Sequence, residues 1–172
     1  MVLENQRLSE RAYVDELTGL ANRHAYARYL SRLRHEGPDD QVAVFMVDVD
    51  RFKAVNDTHG HLVGDEVLRR VASVLVDLTR PADLAVRLGG DEFLVFLAGA
   101  GSMDVLRRGE EMVAAVAARD WSDLAAGLSI TVSAGLAAGP SRAVDRLLQE
   151  ADGHLYAAKS AGRGRLVHLH RG

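Results

Sequence analysis

Two neighbouring carboxylates, Asp91 and Glu92, follow a glycine pair in the stretch Arg87-Leu88-Gly89-Gly90-Asp91-Glu92-Phe93. Apolar residues run up to this stretch (Leu84, Ala85, Val86) and away from it (Phe93 to Leu97), so it reads as the tip of a β-hairpin. An ordinary hairpin gains nothing from consecutive like charges at its turn, and the pair calls for a positive partner. A divalent cation with a nucleotide phosphate fits. Carboxylates are the usual Mg²⁺ ligands, and glycine removes the side chain that would hold a phosphate off the backbone. Taken alone, the stretch is equally a solvated acidic turn. A second source of carboxylate lies upstream, where the apolar run Gln41 to Val47 ends in Asp48. A carboxylate at the end of a buried strand has a fixed backbone and a wet side chain, a common location for function.

The elements that must position these groups follow from periodicity and turn chemistry. Asn22 can N-cap a helix from about Arg23 to His35, which Gly37-Pro38-Asp39-Asp40 ends. Gln41 to Val47 is almost wholly apolar, as a buried central strand should be. From Asp48 the chain reads as a polar loop, until Val67, Leu68, Val71, Val74, Leu75 and Leu78 recur at helical spacing between Gly64 and Thr79, with Pro81 beyond the end. After the hairpin come a helix from Met103 to Arg119 with Ser102 as N-cap, and a strand from Leu128 to Leu136. A helix from Ser141 to Ala161 is stopped by Gly162 and Gly164, and Arg165 to Leu169 is a short last strand. From Gln41 the order is strand, helix, strand, strand, helix, strand. This βαββαβ pattern predicts an α+β, ferredoxin-like fold, a central antiparallel sheet with helices on one face. In that topology the first strand lies beside the hairpin, which brings Asp48 towards Asp91 and Glu92.

Composition narrows the function. The 172 residues suit one domain with a substantial core, and 48% hydrophobic and 26% charged residues are ordinary for a globular protein. With a formal net charge of -3 and no long basic run, a nucleic-acid footprint is not expected. No cysteine is present, so disulfides and thiolate metal sites are excluded. No signal peptide and no membrane-spanning run is visible, and the expected location is cytoplasmic without membrane contact. Residues 1–14 are mostly polar with scattered apolar positions; they read as the end of a linker helix from an upstream domain or as an N-terminal cap on the fold.

Four ordered motifs give the chain a resemblance to the GGDEF domain, the catalytic domain of diguanylate cyclases. They are DELTGLANR at Asp15 to Arg23, DVDRFKAVNDTHGHLVGDEVL at Asp48 to Leu68, RLGGDEF at Arg87 to Phe93 and ADGHLYAAKSAGRGR at Ala151 to Arg165. The resemblance implies a palm-type nucleotidyl cyclase domain over residues 15–172. Its expected reaction condenses two GTP molecules into cyclic di-GMP and two pyrophosphates, with Mg²⁺ or Mn²⁺. By position, Asp48, the Val49 carbonyl and Asp91 would bind metal, with Glu92 as a further ligand; the base is left open between Asp91 and Glu92. Asn56 and Asp65 match guanine-recognising positions, and a carboxylate can accept from N–H groups of guanine that adenine does not present. The resemblance sets Leu17 and Leu68 beside the base, though both read equally as core leucines, and His61 against the nucleotide. Turn chemistry alone would explain Asn56. Lys53, Lys159 and Arg163 match phosphate-binding cations, the last two also being suited to the end of a helix. The backbone near Arg51 and Phe52, with Gly89 and Gly90 at the hairpin, would meet the triphosphate.

Arg80-Pro81-Ala82-Asp83 forms an RxxD string at the spacing from the hairpin where family members bind product as inhibitor, although RxxD elsewhere is usually a surface ion pair. Two departures stand out: Gly153-His154 inside the last helix, and Gly164 in place of a frequent Asn. One such domain holds one GTP, so the resemblance implies a homodimer in the active form, driven by an upstream sensory domain. The rival readings are a receptor that binds GTP or cyclic di-GMP without turnover, and another palm-like nucleotidyl transferase.

Overall fold

The computed structural model describes residues 12–36, 40–99 and 102–168. The helix expected before Ala12, the stop at Gly37-Pro38-Asp39 and the strand end at Leu169 lie outside the described residues, as does the Ser102 side chain expected to cap the fourth helix. The elements are α1 (Arg23–Glu36), β1 (Gln41–Val49), α2 (Phe52–His59), α3 (His61–Asp77), β2 (Leu84–Gly89), β3 (Glu92–Ala98), α4 (Ser102–Ala118), β4 (Val132–Pro140), α5 (Val144–Ser160) and β5 (Leu166–His168). Asn22 caps α1 as expected: its side-chain oxygen accepts from the amides of His24 at 3.0 Å and Ala25 at 3.1 Å. Among the described residues no helix is long and apolar enough to cross a membrane.

The five strands form one sheet in the order β2-β3-β1-β4-β5, antiparallel except for the parallel pair β4 and β5. β1 lies between β3 and β4, paired with both, which is why it is apolar at successive positions. Its side chains alternate between two cores. Ala43, Phe45, Val47 and Val49 pack with α3 (Val67, Leu68, Val71) and α4 (Val105, Met112, Val116), while Val42 and Val44 pack with α1 (Leu30) and α5 (Val144, Leu147, Ala151). Helices therefore cover both faces, and the expectation of helices on one face is corrected.

Two further differences have physical causes. The residues read as a loop after Asp50 contain α2, which begins after Arg51 in a left-handed conformation (φ 55) and is joined to α3 through Gly60 alone (φ 87). Only Val55 of its eight residues is buried, and two turns are too short for its apolar positions to repeat. The fourth strand starts and ends about four residues later than expected, because Ala134, Gly135, Ala137, Ala138 and Gly139 look like poor strand formers. Their small size has a purpose in packing: a Cβ added at Gly135 would run into the Ala151 carbonyl and the Leu155 amide of α5, so only glycine lets that helix lie on β4. His154 reinforces the contact through Nδ1, 2.7 Å from the Leu136 carbonyl.

The two glycines on either side of this contact should respond oppositely to alanine. Gly135→Ala should force α5 off β4 and lower the Tm by several degrees or prevent folding. Gly153→Ala meets no atom within 4 Å and removes a helix-interior glycine. It should add about 1 kcal/mol, or roughly 2–4 °C in thermal melts.

Candidate active site

The hairpin tip and the end of β1 meet as the topology requires. Asp48 stands opposite Glu92 in the β1–β3 register, and the Val49 amide donates to the Asp91 carbonyl at 3.2 Å. The turn is short, with Gly89 paired to Glu92 and positive φ at Gly89 (141) and Gly90 (54), conformations that side-chain-bearing residues rarely adopt. Asp48 is 8% exposed, while Asp91 is half-buried and Glu92 exposed. Lys159, in the last turn of α5, reaches across the sheet end and places Nζ 2.9 Å from Asp48 Oδ2. Burial, together with the charges of Asp91 and Glu92, pushes the Asp48 carboxyl above its ordinary range, against the opposing pull of Lys159. Asp48, Asp91 and Glu92 thus lie at the same end of the sheet, with the Lys159 ammonium paired to Asp48.

A DELTGL segment supports this tip from behind. Arg87 donates through Nε and Nη2 to the Gly90 carbonyl, at 3.1 and 2.9 Å, and through Nη1 to both oxygens of Asp15, at 3.2 and 3.3 Å. Asp15 also accepts from Thr18, from the backbone amide at 2.9 Å and from the hydroxyl at 2.7 Å. Burial works against the Asp15 charge, but these donors and Arg87 outweigh it and hold the carboxyl below its ordinary range. Arg23 Nε bonds the Leu88 carbonyl. Two motifs far apart in sequence are thereby one structural unit; nothing in spacing alone pointed to that link.

The remaining residues fall into three groups. Arg51 and Arg163 line a cavity of about 350 Å³ together with Asp50, Ala54, Thr58 and Thr131. Both arginines sit at positive φ, 55 and 66, the only non-glycine residues described that do. Phe52 is half-buried against the α3 side of the core, and Lys53 and His61 are exposed. Asn56 lies in α2, so turn chemistry does not explain it. Its Oδ1 is buried without a hydrogen-bond partner among the described residues and packs against Gly64, where any Cβ would collide with it. A buried, unpaired amide oxygen is costly, and such groups in native structures ask for an explanation. Asp65 is half-buried just beyond the first turn of α3. Leu68 is 2% exposed in the core and Leu17 packs beside it.

The RxxD pair is split. The Asp83 side chain is 1% exposed, and its oxygens accept from the Arg80 amide at 2.8 Å, the Ala98 amide at 3.0 Å and Arg108 Nη2 at 2.7 Å. The Arg80 side chain is 61% exposed, with Asp104 at 3.3 Å. Pro81 to Leu84 border a second cavity of about 1040 Å³, walled by α1 residues including Arg28, Tyr29 and Arg32.

A divalent cation fits the acids in kind. Asp48, Asp91, Glu92 and the Val49 carbonyl offer hard oxygen donors. Among the described residues no group of three His, Cys, Asp or Glu side chains is placed to hold a metal ion by itself. Mg²⁺ seldom uses an all-protein cage; it keeps waters and takes one or two carboxylates plus substrate phosphates.

Residues 12–165 match the family described as diguanylate cyclase, GGDEF domain, and the chain belongs to that family. It is 42% identical over 170 residues to diguanylate cyclase DgcP of Pseudomonas aeruginosa, covering 95% of this chain and 25% of that protein. With the response regulator PleD of Caulobacter vibrioides it shares 38% identity over 165 residues, covering 92% of this chain and 36% of PleD. The chain thus spans well under half the length of these relatives. The coiled coil and GGDEF domain of DgcB from Caulobacter crescentus, solved in complex with c-di-GMP, superposes with a TM-score of 0.85 at 31% identity, covering 96% of this chain and 90% of that one.

The split within RxxD predicts different phenotypes for its two ends. Asp83→Ala leaves the Arg108 guanidinium buried without its carboxylate. It should cost about 3–5 kcal/mol, seen as a fall of order 10 °C in Tm. Arg80→Ala, at an exposed pair, should leave the Tm within about 2 °C.

Proposed function

We propose that this domain is a diguanylate cyclase, joining two GTP molecules through two 3′,5′-phosphodiester bonds with loss of two pyrophosphates. The observation that carries the reading is the convergence of Asp48, Asp91 and Glu92, beside Lys159, in a chain of the GGDEF family. In each bond-forming step a 3′-hydroxyl oxygen attacks an α-phosphorus, the bond to the bridging oxygen of pyrophosphate breaks, and the hydroxyl proton passes to a base. Asp91 or Glu92, at the tip, is the candidate acceptor. A bound Mg²⁺ or Mn²⁺ supplies charge neutralisation on the phosphate and a more acidic hydroxyl. The residues that would hold it are Asp48, the Val49 carbonyl, Asp91 and Glu92.

Substrate selection follows from the polar groups of α2 and α3. Asn56, with its unpaired oxygen, and Asp65 would accept from guanine N–H groups, so a purine without those donors would leave the buried Asn56 oxygen unsatisfied. Arg51, Phe52, Lys53, Lys159 and Arg163 would surround the phosphates. Leu17 and Leu68 would form the apolar wall beneath the base rather than a free clamp, given their burial. His61 stands at the exposed start of α3, where it would meet the edge of the nucleotide. One domain would hold one GTP, so two chains facing each other complete the reaction.

Inhibition by product would centre on Arg80, whose guanidinium is available to guanine O6 and N7. Asp83 would act there by holding the segment in shape, since its oxygens are already engaged. The large cavity beside Pro81, with Arg28 and Arg32 on its wall, offers room and positive charge for a cyclic dinucleotide.

Incubation with GTP and Mg²⁺, with ATP as control and products identified by mass, tests the reading. Cyclic di-GMP from GTP alone, at a specific activity that rises with protein concentration, is expected. Binding of GTP without turnover would instead mark a receptor module, and a product other than cyclic di-GMP a different transferase. In the same assay Arg80→Ala should keep its initial rate while added cyclic di-GMP no longer inhibits. Equal inhibition of variant and parent would remove Arg80 from the product site.

A further inference from the structure

We infer that Asp50, two residues beyond Asp48, is a positioning residue that sets Arg163 for the triphosphate; the inference rests on the reading that Arg163 binds phosphate. Asp50 lies in the same DVD string as the candidate metal ligand and would pass for a second one. Its surroundings say otherwise. The residue is 8% exposed, and its oxygens are occupied by three donors from two other parts of the chain. Oδ2 accepts from the Thr131 hydroxyl at 2.6 Å and the Gly164 amide at 2.9 Å, and Oδ1 accepts from the Ser133 hydroxyl at 2.6 Å. Its own amide donates to the Thr131 carbonyl at 2.9 Å. A carboxylate so engaged is turned inward as an acceptor of hydrogen bonds, with little left for a cation.

What Asp50 holds is the loop that follows α5. Arg163 is in the left-handed region (φ 66), a conformation that persists in a residue with a Cβ only when its surroundings fix it. Three backbone contacts do so. The Arg163 amide donates to the Ala158 carbonyl at 3.0 Å, the Gly164 amide to Asp50, and the Ala134 amide to the Arg165 carbonyl at 2.9 Å. Of these, only the middle one ends on a side chain, and that side chain lies one residue past the end of β1, the strand that carries Asp48. Asp50 and Arg163 also border the same cavity of about 350 Å³, as does Arg51. One carboxylate therefore ties the loop bearing Arg163 to the end of β1. Gly164 itself has φ 60, which glycine tolerates, and what Asp50 uses is its backbone amide.

The test compares a triphosphate with a monophosphate, using 3′-deoxy-GTP, whose missing 3′-hydroxyl prevents turnover, and GMP, each titrated calorimetrically with Mg²⁺ into the full chain. Asp50→Asn should weaken 3′-deoxy-GTP about tenfold and leave GMP unchanged. Arg163→Ala should do the same, and the double variant should be no weaker than Arg163→Ala alone. Equal weakening of both ligands, or additive losses in the double variant, would reduce Asp50 to a general structural role and overturn the inference. A normal Asp50→Asn beside a weakened Arg163→Ala overturns the inference alone; an unaffected Arg163→Ala removes the phosphate reading and the inference with it. Should Asp50→Asn fail to fold, Thr131→Val takes its place. Selective loss of 3′-deoxy-GTP binding, restored in Thr131→Ser, supports the inference, and unchanged binding in Thr131→Val contradicts it.

Discussion

Everything at the functional end of this domain answers to one electrostatic constraint: the β1–β3 register sets Asp48 against Glu92 with Asp91 at the turn. The register is not free to relax. A slip of one residue would turn Phe45 and Val47 from one core to the other and bury the wrong set on both faces. The acids are therefore held close by the same alternation that builds the cores, and their repulsion is left for cations to offset. Lys159 offsets part of it from within the chain. Burial, with smaller contributions from the Asp91 and Glu92 charges, keeps the Asp48 carboxyl above its ordinary range despite Lys159.

Rigid support for the tip comes from residues that touch neither acid directly. Arg87 ties the Gly90 carbonyl to Asp15, and Asp15 is in turn closed by Thr18, so the hairpin turn is bound to the segment leading into α1. On the opposite side Asp50 binds the loop after α5. Asp48 and Asp50 show how environment, not residue type, decides the use of a carboxylate. One faces other acids with a single ammonium beside it, and the other is saturated by two hydroxyls and an amide.

The fold was legible where a physical signal repeats along the chain. The hairpin, α1, α3, α4 and α5 were visible because apolar spacing and turn residues agree, and β1 because a strand buried on both faces is apolar throughout. That last cue also implied helices on both sides of the sheet, which a one-sided layout did not use. What was hidden lacked a local signal. α2 buries only Val55, and β4 is built from alanine and glycine because α5 lies against it. Within the site, the DELTGL and GGDEF strings were evident, but not that Arg87 joins them. Asp83 could be picked out by spacing, yet its burial against Arg108 depends on a helix that starts some twenty residues later. Asp50 was passed over because a neighbouring Asp of the same string had a clearer role, and hydroxyl donors at Thr131 and Ser133 leave no mark in sequence.

The central claim is that Asp48, Asp91 and Glu92 form a site for a divalent cation delivered with a guanine nucleotide. Mn²⁺ binding in the presence of 3′-deoxy-GTP, followed by electron paramagnetic resonance, measures it directly. The account predicts that the parent chain binds Mn²⁺ and that Asp48→Asn and Asp91→Asn each weaken it at least about tenfold, while both still bind GMP. Undiminished Mn²⁺ binding in both variants would contradict it.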